Sequence, residues 1–227
     1  LFSSKKFSQK ILNEFLSAIP DQFKFIEINL NTNCQFDSLN FQMRKKVTHH
    51  LSLNDNYENI FQGFNQNTKR NIRKAEKAEL TFSKNGNAKS LISLFKSGVG
   101  KKTDLKSKDY KMLEALMTAA QKNNCGEVFS LNNRKGETEA ALFLLSSENI
   151  LINLFNASSD TGKKNSAMFQ LMNEIIILNA ESKKTLDFEG SEIPEVTIFY
   201  KGFGSSPVYY PSIKLNRLHW SLKWLKD

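Results

Sequence analysis

The sequence predicts a mixed α/β fold, a mostly antiparallel sheet flanked by helices. Three observations carry this. Residues 126–132, 137–146 and 150–156 are apolar-rich runs joined by the short turns NNRKG and SEN, the signature of an antiparallel meander. The segment 164–181 then places Ala167, Met168, Leu171, Ile175 and Leu178 at helical spacing. Beyond it, residues 185–189 and 207–213 read as strands on either side of a short helix and complete the sheet.

Taken in order, Phe7, Ile11, Leu12, Phe15 and Leu16 form an amphipathic helix that ends before Pro20. Residues 23–30 alternate as a strand, with Phe23, Ile28 and Leu30 available for burial, and the polar stretch NTNCQFDSLN is a loop. Residues 44–53 form another strand. One helix and two strands are too few to close a domain, so this opening block packs on the later part of the chain. From Tyr57 a helical period runs through Ile60, Phe61 and Phe64, then Ile72 and Ala75, with a break at 63–67. The other side of its second half carries Lys69, Arg70, Arg73, Lys74 and Lys77. Lysine-rich helix faces are commonly just solvated, but the arginine fork of Arg70 and Arg73 suits phosphate or carboxylate. A short strand at 79–83 and helices at 88–96 and 108–122 come next. The loop between those helices, GVGKKTDLK, is basic and glycine-containing but lacks the order of a P-loop. In the tail, Trp220 and Trp224 lie four residues apart, one helical turn expected to dock back on the core.

Candidate chemistry concentrates between residues 185 and 213. Leu186 and Phe188 share one strand face; Asp187 and Glu189 share the other, about 7 Å apart from the rise per residue. Ser191 suits a helix cap, and Glu192, Pro194 and Glu195 suit a first turn. Val196, Phe199, Tyr200 and Phe203 then form one apolar stripe, which makes Tyr200 a packing residue, and Gly202 and Gly204 stop the helix. Lys201 is off that stripe at the helix's C-terminal end, where a cation is favoured by the dipole. Either carboxylate could take the proton of an attacking amine, or pair with Lys201 or Arg70. Tyr209 and Tyr210 point to opposite faces, so one of them can reach a groove.

Composition narrows the classes. The chain has 227 residues and 40% hydrophobic content, enough for a real core, and a net charge of +9 that accommodates an anionic partner. Two distant cysteines, Cys34 and Cys125, argue against a disulfide framework, and three histidines without ligand spacing argue against a metal site and for structural roles. No run is long and apolar enough to span a bilayer, and the first ten residues lack a signal-peptide core, so a cytoplasmic location is expected. The missing initiator Met suggests a fragment.

The run DFEGS (187–191), followed by FYKGFG (199–204) and PVYY (207–210), resembles the end of the acyltransferase domain of the Fem family. Those are aminoacyl-tRNA-dependent transferases of peptidoglycan bridges, built on the GNAT (N-acetyltransferase) fold. Residues 57–77, YENIFQGFNQNTKRNIRKAEK, are similar to the same family's arginine-rich helix. The resemblance covers roughly 56–213. It implies a GNAT-like domain over 56–214, a partial GNAT-like half-domain over 1–55 and a helical tail over 215–227. It also implies transfer of an acyl or aminoacyl group to an amine, on an envelope precursor or a metabolite. By resemblance Lys201 stands near the reacting ester, where its charge would stabilise the oxyanion, and Arg70 and Arg73 stand at the mouth of the substrate groove. The candidate catalytic carboxylates Glu189 and Asp187 and the candidate groove residues Tyr209 and Tyr210 come from the residue pattern.

In GNAT folds the pyrophosphate of coenzyme A rests between the fourth strand and the next helix. Here that stretch is ASSDTGKKNS (157–166), which offers Gly162, Lys163, Lys164 and Asn165. It is not the RxxGxG/A loop of acetyl-CoA users, which leaves two donors open: an acyl-CoA co-substrate or aminoacyl-tRNA. No tightly bound cofactor is expected. The alternative reading is a non-catalytic basic module, binding RNA or serving as a scaffold, on the same fold.

Overall fold

Helices cover both faces of the meander because its strands are apolar on both. In the computed structural model, which describes residues 8–32, 42–84, 86–190 and 193–224, the meander strands are β4 (Gly126–Asn132), β5 (Thr138–Ser147) and β6 (Ile150–Ser158). Along β5 the two-residue period sends Ala140, Leu142 and Leu144 to one core and Ala141 and Phe143 to another. The first core is closed by α2 (Tyr57–Gln62), α3 (Gln66–Glu76), α7 (Ala167–Asn179) and α8 (Pro194–Gly202). The second is closed by α4 (Ala88–Ser97) and α5 (Ser107–Lys122). Phe143, Phe188 and Phe203 are fully buried, each contributing about 1.5–3 kcal/mol by leaving water.

The chain divides into two compact units, residues 49–206 and residues 1–48 with 207–227. In the larger unit the strand order is β2–β7–β6–β5–β4–β3, where β2 is Gln42–Ser52, β3 is Thr81–Ser83 and β7 is Thr185–Asp187. The pairs are antiparallel except β6 with β7, which is parallel. In the smaller unit the order is β1–β8–β2, with β1 (Phe25–Asn29) antiparallel to β8 (Ser206–Asn216). Leu12 and Leu16 of α1 (Gln9–Ser17) pack there with Leu30 and Ile213. In the smaller unit the β1–β8 ladder ties residues 212–216 to residues 25–29.

Several elements depart from expectation. Phe15 is exposed, since Leu12 and Leu16 already fill the inner face of α1, and Phe23 is exposed ahead of β1; Phe7 and Cys34 lie outside the described residues. The helix expected over 164–181 is two: α6 (Asp160–Lys164) and α7, separated by Ser166 at φ 59°. Leu178 faces solvent while Met172 and Ile176 fill the core in its place. Part of the basic glycine loop forms a 3-10 turn, Val99–Lys102. The N-cap of α8 is Ile193, without a side-chain cap; Ser191 and Glu192 lie outside the described residues. Trp220 and Trp224 are 78% and 72% exposed, because α9 (Trp220–Lys223) is a single turn and cannot bury either ring. The break between α2 and α3, the α4–α5 pair, and the strand–helix–strand order from β7 to β8 are as expected.

Candidate functional site

The site is built where β7 stops. Three residues of β7 pair with β6, Ile150 with Thr185, Leu151 with Leu186 and Ile152 with Asp187, after which β6 runs on to Ser158 without that partner. The stop is local chemistry. The Glu189 backbone N–H donates to Asp187 Oδ1 at 2.8 Å, and Glu189 sits at φ 65°, a region a glutamate rarely adopts. Glu189 therefore does not continue the strand face of Asp187 as the alternation implied; it turns back beside it. Leu186 and Phe188 are buried, as expected.

Asp187 Oδ2 lies 3.3 Å from Nε2 of its cross-strand neighbour His50, within ion-pair range but off the hydrogen-bond line. His49, on the other face of β2, is 1% exposed, and neither of its ring nitrogens has a hydrogen-bond partner. Burial lowers its pKa, the Lys201 and His50 charges lower it further, and the Asp187 charge opposes them. Its ring lies 6.0 Å from the Tyr200 ring. Burial, followed by the fields of Glu189 and Asp187, pushes the Tyr200 phenol up to about 12, so it stays protonated. Glu189 is raised as well, by burial first and then by Asp187, against the Gly190 backbone N–H and the His50 charge. Lys201 is exposed in the last turn of α8.

Beside this cluster, a cavity of about 480 Å³ opens between β6, the start of α7 and α8. Its walls include Asn156 and Ser158 from β6, Met168 and Phe169 from α7, and Val196, Phe199 and Tyr200 from α8. Tyr200 thus belongs to both the cavity and the charged cluster, more than the packing role expected of it. Asn153, one register step further into β6, is 2% exposed; its Nδ2 has no partner, while its Oδ1 faces Asn156 Nδ2 at 3.5 Å. A bulge that leaves Leu154 without a partner on β5 puts Asn156 and Ser158 on this wall. A second cleft, about 500 Å³, is lined by His50, Ser52, Asn54, Asp55 and Asn59 with Phe203 and Gly204.

The other expected site residues lie on other elements. Arg70 and Arg73 are exposed on α3, whose inner face is Thr68, Ile72 and Ala75. Tyr209 and Tyr210 belong to the smaller unit; Tyr209 is exposed, with the Lys45 ammonium 4.2 Å from its ring centroid. Gly162 and Lys163 do line the 480 Å³ cavity. Yet Gly162 is required for packing: a Cβ there would lie 2.0 Å from the Glu139 carbonyl oxygen, and its amide is already donated to Ser159 Oγ at 2.9 Å. Asn165 Nδ2 donates to the buried Glu139 carboxylate at 2.9 Å, Lys163 pairs with Asp160, and Lys164 is exposed. The histidines were expected to be structural, and the β6 asparagines were not singled out from sequence. The available signal was polarity inside apolar strands, HH in β2 and the two asparagines of ILINLFNAS in β6.

Among the described residues no group of three or more potential metal ligands gathers, and no helix is long and apolar enough to cross a membrane. The strand order, the parallel β6–β7 pair and the helix on each side of β7 define a GNAT-like fold. No family model matches the sequence and no curated protein matches it. Among solved structures, FemX is similar with a TM-score of 0.65 at 13% identity, over 96% of this chain and 71% of that one. L-PGS from Bacillus licheniformis is similar with a TM-score of 0.54 at 11% identity, over 82% and 65%. Saccharomyces cerevisiae N-myristoyltransferase, solved with bound myristoyl-CoA, is similar with a TM-score of 0.50 at 12% identity, over 92% and 57%. Identities this low carry the fold and nothing finer.

Proposed function

We propose that the protein is a transferase that moves an acyl or aminoacyl group from a thioester or ester donor to an amine. The observation that carries this reading is Tyr200, whose side chain lines the 480 Å³ cavity while sitting in the field of Glu189 and Asp187. An acyl group held against Met168, Phe169, Val196 and Phe199 has its carbonyl near this junction. The acceptor amine gives its proton to Glu189, whose raised pKa makes it a stronger base than an ordinary carboxylate. The C–N bond forms, the C–S or C–O bond breaks, and the Tyr200 hydroxyl protonates the departing sulfur or oxygen. Lys201 supplies positive charge on the same side, in line with the oxyanion role implied by its segment.

Both donor types stay open: the yeast enzyme of similar fold was solved with myristoyl-CoA, and the Fem resemblance implies aminoacyl-tRNA. The purified protein, offered amines with a panel of acyl-CoA thioesters, is assayed for free thiol; with charged tRNA it is assayed for loss of the ester. One donor is expected to turn over, and Glu189→Gln to lower that rate by roughly a hundredfold or more. No turnover with either donor class, or turnover indifferent to Glu189, refutes the proposal and leaves the non-catalytic module.

A further inference from the structure

We infer that the outward face of α5, with the 3-10 turn that precedes it, is a docking surface for an anionic lipid bilayer. The helix is apolar on two faces. Tyr110, Met117 and Ala120 face the core. On the opposite side, Met112 is 69% and Leu116 45% exposed, and Lys108, Ala115 and Ala119 complete the same outward stripe at helical spacing. The chain leading into the helix continues the pattern, with Val99 and Leu105 both about half exposed. A helix needs one apolar face to fold onto a core; the second has no packing role in this unit.

The charge around this face identifies its occupant. Lys101, Lys102, Lys106, Lys108 and Lys111 are exposed and none is in an ion pair among the described residues. Of the nearby carboxylates, Asp109 accepts the Lys106 backbone N–H at 2.8 Å, Glu114 lies 3.7 Å from Lys89, and Asp104 is exposed, which leaves the lysines in excess. Unpaired lysines interleaved with exposed Met, Leu and Val suit a bilayer, where the apolar side chains enter the headgroup boundary and the ammonium groups meet lipid phosphates. RNA would satisfy the lysines but leave the aliphatic side chains without a partner, because its recognition depends on stacking planes. This inference does not depend on the transferase reading.

The test is co-sedimentation of the full chain with vesicles of phosphatidylcholine alone and of equimolar phosphatidylcholine and phosphatidylglycerol. Sedimentation with the anionic vesicles only is expected, falling as salt is added. Lys101→Gln with Lys102→Gln lowers partitioning by about fivefold per lysine. Met112→Gln with Leu116→Gln lowers it as well, with the far-UV spectrum and melting temperature retained because both side chains are outside the core. Failure to sediment with anionic vesicles overturns the inference, and so does binding that the Met112/Leu116 variant leaves unchanged. Retention of a short single-stranded RNA by both wild type and that variant, without vesicle binding, assigns the lysines to nucleic acid instead.

Discussion

Replacing Gly202 by Ala probes how α8, and with it Tyr200 and Lys201, is held against the arginine-bearing α3. The two helices cross at this residue. The Asn65 N–H donates to the Gly202 carbonyl at 2.9 Å, and a Cβ on Gly202 would stand 2.3 Å from Thr68 Oγ1, in a place where Thr68 is 1% exposed. Two effects oppose each other. Alanine is favoured over glycine in a helix by about 1 kcal/mol, while forcing a methyl into a filled contact costs about 1–3 kcal/mol. In the wild-type background the clash prevails, and the melting temperature falls by roughly 2–4 °C per net kcal/mol at this chain length. In a Thr68→Ala background the obstructing hydroxyl is gone, so the same substitution keeps only the propensity gain and becomes stabilising. The change of sign is the expected result, a coupling of roughly 1–3 kcal/mol across one contact. Far-UV circular dichroism is the suitable probe, since Trp220 and Trp224 both lie in the other unit. Additive effects in the two backgrounds would refute the close crossing.

Glu189→Gln should raise stability at neutral pH, because a carboxyl whose folded pKa is raised above its unfolded value of about 4.3 disfavours folding once ionised; the gain over wild type is lost as pH falls to that unfolded value and below. Melting curves across pH check it, and a variant less stable at pH 7 contradicts it. Lys201→Ala should raise the His49 pKa, followed by imidazole NMR, with a smaller rise at high salt because Lys201 is exposed. Gly162→Ala should destabilise the protein through the Glu139 carbonyl alone, so a variant melting like wild type would free Gly162 for a ligand role.

The meander and the four long helices were legible because each is set by local signals: apolar runs bounded by short turns for β4 to β6, and a period near 3.6 for α3, α4, α5 and α7. What escaped depends on pairings distant in sequence. Whether α7 begins at 164 or 167 turns on Ser166, whose Oγ donates to Asn71 Oδ1 at 2.7 Å, a partner 95 residues away. Tyr200 fell on the apolar stripe of α8, and nothing local says that β6 and β7 part beside it. Asp187 and Glu189 were named as candidates by type, but their geometry escaped, because the Asp187 side chain captures the Glu189 amide and ends the alternation.

Three unfavourable features of the larger unit gather at one place, which favours the reading of a site there. Around the end of β7 lie a glutamate at φ 65°, a buried imidazole with both nitrogens unpartnered, and a buried asparagine amide without an acceptor. A polar group left unsatisfied in the interior costs about 1–3 kcal/mol, which a core selected for stability alone would remove. His49→Phe tests this. The ring volume and the contact with Tyr200 are kept while the orphaned nitrogens go, so the variant should melt higher than wild type. Its advantage should widen as pH falls through about 6.5, since a lowered folded pKa makes the unfolded chain bind more protons there and wild-type stability is lost. Transfer activity should fall in the same variant, whose fold is intact. A variant that melts lower and transfers normally would return His49 to the core as a packing residue and remove the strongest energetic argument for placing the site at the end of β7.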